Sequence, residues 1–189
     1  MGNNRAEVIV IGGSSGSIPV VMQIISALPD SYPIPIVIVI HRLRNVASEL
    51  AQVMSATHQI HEPEDKEPLQ KGHIYLAPQN YHLLIENDKT FSMDYSEPVN
   101  YSRPSIDVTF MCAATVYREN AVGILLSGAN KDGADGIDTI IRKGGRAIVQ
   151  DPSCCQSPVM PREAFKKNSL IEIQNVPSLV NTLLLFTNK

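Results

Sequence analysis

Residues 34–40 read Ile-Pro-Ile-Val-Ile-Val-Ile, apolar at every position and β-branched at all but the proline. A strand with one face in water alternates apolar and polar residues. This run offers no polar face, so a strand built from it must be covered on both sides. Residues 7–11 after the leading Glu7, and residues 122–126, are likewise without a polar side chain. Sheets buried on both faces are mostly parallel, because parallel strands are joined by crossover helices that pack against them.

The rest of the chain supplies those helices. Helical spacing is expected over residues 18–28, 46–55, 105–117, 133–143, 158–167 and 176–186. Shorter strands are expected at residues 74–77, 147–150 and 170–173. Residues 81–86 and 90–95, separated by Asn87-Asp88-Lys89, read as a β-hairpin added to the sheet. The reading is a single α/β domain over residues 5–187: a doubly wound, mostly parallel sheet in a three-layer αβα, Rossmann-like arrangement.

Composition closes off several classes. With 189 residues, 43% apolar and 19% charged, the chain can bury a sizeable core. No apolar run approaches the length of a bilayer span, and residues 1–7 lack a signal-peptide pattern, so a cytoplasmic location is expected. Met1-Gly2 would suit myristoylation, but Ala6 stands where that motif needs Ser or Thr. A net charge of −3, scattered basic residues and the lack of Trp speak against nucleic acid as a partner. Three cysteines (Cys112, Cys154 and Cys155) make neither a disulfide framework nor a zinc spacing. His58 and His61 are at best a weak metal pair.

Ligands in open α/β sheets bind beyond the carboxyl ends of the strands. Ser14 follows the first apolar strand, His41 the second and Asp132 the third long one. A serine hydroxyl needs a base to take its proton, and an imidazole base needs a carboxylate to hold its tautomer. Each residue also has a plainer reading. The turn Gly12-Gly13-Ser14-Ser15-Gly16-Ser17 could cradle a phosphate at a helix N-terminus, although it does not meet G-x-G-x-x-G. His41 could be a satisfied strand-end histidine, and Asp132 a helix N-cap with Asp135 in the first turn. The residues alone leave these open, together with a non-catalytic protein- or anion-binding module and a small-molecule serine esterase.

Ordered motifs narrow the choice. Ile11-Gly12-Gly13-Ser14-Ser15-Gly16, a strand ending in His41, Ile74-Tyr75-Leu76-Ala77-Pro78 with His82-Leu83, Arg103-Pro104-Ser105-Ile106-Asp107, Leu126-Ser127-Gly128-Ala129-Asn130-Lys131-Asp132-Gly133, and Gln150-Asp151 followed by Met160-Pro161-Arg162-Glu163-Ala164 occur in sequence along the chain. Together they resemble the catalytic domain of CheB-type protein-glutamate methylesterases. The resemblance implies a Ser14, His41, Asp132 triad acting without metal or organic cofactor. It also implies methyl esters on chemoreceptor glutamates as substrate, with glutamine deamidation as a second activity.

Ser17, Ala129 and Arg42 depart from the family pattern at positions expected around the pocket. Arg42 and Arg44 are expected as exposed charges for an acidic partner. Asp132→Asn is expected to fold normally. The family's receiver domain is not seen ahead of the first strand, so a stand-alone, constitutively active domain is expected, with any receiver acting as a separate partner.

Overall fold

The structure, a computed structural model, describes residues 6–42, 49–55 and 58–187. Seven parallel strands form its sheet: β1 (Val8–Gly13), β2 (Ile36–Ile40), β3 (Ile60–His61), β4 (Ile74–Leu76), β7 (Ala121–Leu125), β8 (Arg146–Gln150) and β9 (Glu172–Gln174). Their order is β3-β4-β2-β1-β7-β8-β9. The chain starts in the middle, builds outward through β2 and then returns to the far side of β1 for β7. The crevice at a reversal of strand order therefore opens over β1.

Every residue of β1, β2 and β7 is buried. Alternation splits them between two cores. Val8, Val10, Val37 and Val39 face one side, where α3 (Ile106–Tyr117), α4 (Ala134–Arg142) and α5 (Val159–Lys167) pack. Ile9, Ile11, Ile36, Ile38 and Ile40 face the other, against α1 (Ile18–Ser26) and α6 (Val176–Leu185). At about 1.5–3 kcal/mol for each fully buried aliphatic side chain, this two-sided burial dominates the stability of the sheet.

The hairpin of β5 (His82–Ile85) and β6 (Phe91–Asp94) is antiparallel and separate from the main sheet. It is more than an addition. Leu83, Ile85 and Phe91 enter the same core as α3, and Thr109 of that helix donates its hydroxyl proton to the Leu83 carbonyl at 2.8 Å. The helix expected over residues 46–55 is seen as α2 (Leu50–Met54); residues 43–48, Arg44 among them, lie outside the described residues. The two-residue β3 at the sheet edge has no counterpart in the sequence reading.

Candidate active site

Register decides which residues meet at the crevice. Gly13 pairs with Ile40 and Gly12 with Leu125, so Ser14, His41 and Ser127 leave three adjacent strands at one level. Backbone bonds close the group. His41 N–H donates to the Gly13 carbonyl (3.3 Å), Ser14 N–H to Ser127 (2.9 Å) and Leu126 N–H to Gly12 (2.8 Å). The turn after β1 is held from beneath by Ser17, which is fully buried and donates its hydroxyl to the Ser14 carbonyl at 2.7 Å. Gly16 has φ +79°, and a Cβ there would sit 2.5 Å from Gln156 Cβ, so the turn requires glycine at that point. Ser14 itself is half-buried, reachable from the crevice.

Asp132, wholly buried, is the most heavily bonded side chain of the site. Its Oδ2 receives His41 Nε2–H at 2.8 Å and the Ile106 N–H at 2.7 Å. Its Oδ1 receives the Ser105 hydroxyl at 2.8 Å, the Asp107 N–H at 3.2 Å and the Asn100 amide at 3.2 Å. Burial alone would raise the pKa of this carboxyl. The bonds from His41, Ile106 N–H and Ser105 outweigh it and hold the pKa below the usual carboxylate value. The N-cap reading of Asp132 fails in an instructive way. Helix α4 begins at Ala134 behind Gly133, with no side-chain cap, and Asp132 instead satisfies free N–H groups at the start of α3. Close approach makes this possible, since a Cβ on Gly12 would lie 2.3 Å from Ile106 Cγ2.

An ionised carboxylate only accepts hydrogen bonds, so the His41 proton sits on Nε2 and the neutral ring presents Nδ1 as its acceptor. This reverses the serine-protease orientation, in which the carboxylate holds Nδ1 and Nε2 meets the nucleophile. The hydroxyl that Nδ1 meets is Ser102 Oγ, at 3.3 Å. Among the described residues, no side-chain hydrogen bond joins His41 to Ser14. Ser102 closes a tight turn with Val99, their backbones exchanging two bonds of 3.2 and 2.9 Å. At its apex Asn100 bridges two acids, donating to Asp107 Oδ2 at 2.7 Å as well as to Asp132. Burial, with the charges of Asp132 and Asp135 nearby, lifts the Asp107 carboxyl to about 7, although the Gly136 N–H favours its charged form.

Of the three predicted site residues, the structure joins His41 to Asp132 directly and sets Ser14 on the neighbouring strand end. Sequence reading missed Asn100 and Ser102, and it gave no role to the motif residues Ser105, Asp107 and His82, whose buried ring bonds the Glu97 carbonyl and the Ser105 N–H. Two of the three departures turn inward. Ser17 supports the turn rather than lining a pocket. Arg42 is not an exposed charge: its side chain is 6% exposed, paired with Glu62 at 2.7 Å and bonded to the Ala77 carbonyl at 2.6 Å. Ala129 is exposed beside the site. His61 bonds Glu67 at 2.8 Å, and no group of three or more potential metal ligands forms among the described residues. Nor is any described helix long and apolar enough to cross a membrane.

A parallel three-layer α/β fold with a histidine–aspartate pair and a serine at adjacent strand ends defines a class of hydrolase-like architectures. Comparison with known proteins narrows the class. The family model described as CheB methylesterase matches residues 9–183, and the chain belongs to that family. It is 46% identical over 166 residues to a Leptospira interrogans protein with the provisional name protein-glutamate methylesterase/protein-glutamine glutaminase, covering 87% of this chain and 86% of that one. The Thermotoga maritima protein of the same name, without the qualifier, is 32% identical over 166 residues, covering 85% of this chain and 48% of its own length. The crystal structure of the Thermotoga maritima CheB methylesterase catalytic domain superposes with a TM-score of 0.88 at 30% identity, covering 95% of this chain and 98% of that one.

Proposed function

We propose that this chain is a serine hydrolase that removes methyl groups from glutamate methyl esters of chemoreceptor proteins, in bacterial chemotactic adaptation, and deamidates selected glutamines at the same site. The observation that carries the reading is the His41 Nε2–Asp132 Oδ2 bond of 2.8 Å, one strand from Ser14, in a member of this family.

Ser14 Oγ attacks the ester carbonyl carbon and its proton passes to His41 Nδ1. The imidazolium so formed is stabilised by the Asp132 carboxylate. As the tetrahedral intermediate collapses, methoxide leaves and takes the proton back as methanol. Water, deprotonated by His41, then releases the glutamate carboxylate and restores Ser14. With a glutamine substrate the leaving group is ammonia. The developing oxyanion needs donors already in place. The N–H groups of Ser15 and Gly16, which take no partner among the described residues, lie in the turn that leads into α1 and serve that role.

Incubation with methyl-labelled chemoreceptor membranes tests the reading. Labelled methanol is expected from the wild type and not from Ser14→Ala. Equal release from both would overturn it.

A further inference from the structure

A neutral imidazole nitrogen has a single lone pair and accepts one strong hydrogen bond. In this site that lone pair belongs to His41 Nδ1, since Nε2 is held by Asp132. It faces Ser102. While the Ser102 hydroxyl donates to that lone pair, at 3.3 Å, it competes with Ser14 for the nitrogen that must take the Ser14 proton. On the reading that Ser14 is the nucleophile, we propose that Ser102 is a positioning residue that occludes the base nitrogen of His41 in the resting site, and that the Val99–Ser102 turn must shift for Ser14 to engage it.

The turn is built to hold this position weakly. Asn100 and Tyr101 have φ of +50° and +63°, the left-handed pair that a type I′ turn demands. Asn100 tolerates that region and is tied down by Asp107 and Asp132. Tyr101 has neither advantage. It is a bulky side chain in a left-handed conformation, and at 99% exposed it makes no packing contact that would offset the strain. One half of the turn is thus anchored to the catalytic carboxylate. The other half, next to Ser102, is strained and open to solvent.

Two substitutions push this device in opposite directions. Ser102→Ala frees Nδ1 and is expected to speed activation of Ser14 about three- to tenfold, the worth of one neutral hydrogen bond. Tyr101→Gly creates an Asn-Gly pair, the sequence this turn type favours, and is expected to tighten the turn and slow activation about threefold. A merely structural role would move both variants the same way. Ser102→Thr, which keeps the hydroxyl, is expected to stay near wild type. With Ser102→Ala already in place, Tyr101→Gly is expected to have no further effect.

The readout is the rate of labelling by a fluorophosphonate, in which Ser14 Oγ bonds to phosphorus, fluoride leaves and the hydroxyl proton passes to His41. Mass spectrometry locates the label. Faster labelling of Ser14 in Ser102→Ala and slower labelling in Tyr101→Gly support the gate. Label on Ser14 at an unchanged or reduced rate in Ser102→Ala overturns it and leaves the Ser14 assignment standing. Label on Ser102 overturns both.

Discussion

The oxygen of Asp132 that holds His41 Nε2 at 2.8 Å also receives the Ile106 N–H at 2.7 Å, so one carboxylate orients the imidazole and closes the start of α3. Two consequences follow for Asp132→Asn. Loss of the charge that fixes the tautomer is expected to lower kcat by about 10^4, as in a comparable triad. The amide also turns a donor toward donors already aimed at that site, which contradicts the expectation that the variant folds normally. Leaving a buried donor unsatisfied costs about 1–3 kcal/mol, so Tm is expected to fall by roughly 3–10 °C. Calorimetry beside an ester assay separates the effects, and a variant that melts like the wild type would refute the second.

Ser14 and His41 are expected to fail as a unit. Each alanine variant should lose most of the rate enhancement, with losses on the order of 10^6 in kcat for a comparable triad, and the double variant should be little worse than either. Independent, multiplying losses in kcat would show that the two residues do not share a proton.

The sheet was legible because its central strands are apolar on both faces, a pattern that few other structures tolerate. That Ser14 and His41 leave adjacent strands side by side was legible for the same reason, since strands in register deliver their end residues to one place. The wiring behind Asp132 was not. Its partners Asn100, Ser105 and Ile106 lie about thirty residues away in sequence, and only the packing of α3 against Gly12 brings them close. The Val99–Ser102 turn carries no more than a loop signal in the sequence, because Asn-Tyr at its apex lacks the glycine that usually announces this geometry. The inward turn of Arg42 is invisible in the sequence because its partner Glu62 follows β3, a strand too short to show any periodicity.

Asp107 sets a pH dependence of stability. Its carboxyl is raised to about 7 in the fold, so between the ordinary carboxyl range and that value the folded protein keeps a proton that the unfolded chain releases. Stability contributed here falls as pH rises from about 4 to about 7. Asp132 acts in the opposite sense and in a more acid region, its contribution being lost as pH falls through its depressed pKa. Asp107→Asn keeps an acceptor for the Gly136 N–H and removes the titration. The drop in Tm between pH 5 and pH 7.5 is expected to be smaller in the variant by about 4–8 °C, for a linkage on the order of 2 kcal/mol. Parallel pH profiles would rule out Asp107 as the source.

Arg42 yields a prediction opposite to the one its sequence position suggested. An exposed arginine beside His41 would capture an acidic partner, and its removal would weaken substrate binding in a salt-dependent way. The Arg42 guanidinium instead faces inward, fastening the end of β2 to the Ala77 carbonyl beyond β4 and to Glu62 beyond β3. Arg42→Ala removes the partner of both groups. Glu62 is 36% exposed and regains water on losing its partner, so the full cost of breaking a buried pair does not apply. A loss of about 1–2 kcal/mol is expected, lowering Tm by roughly 2–8 °C. The salt dependence of KM for a methylated receptor is expected to match that of the wild type, because no charge available to the substrate has been removed. A variant with unchanged Tm and a KM that rises with salt less steeply than the wild type's would return Arg42 to the substrate-binding surface.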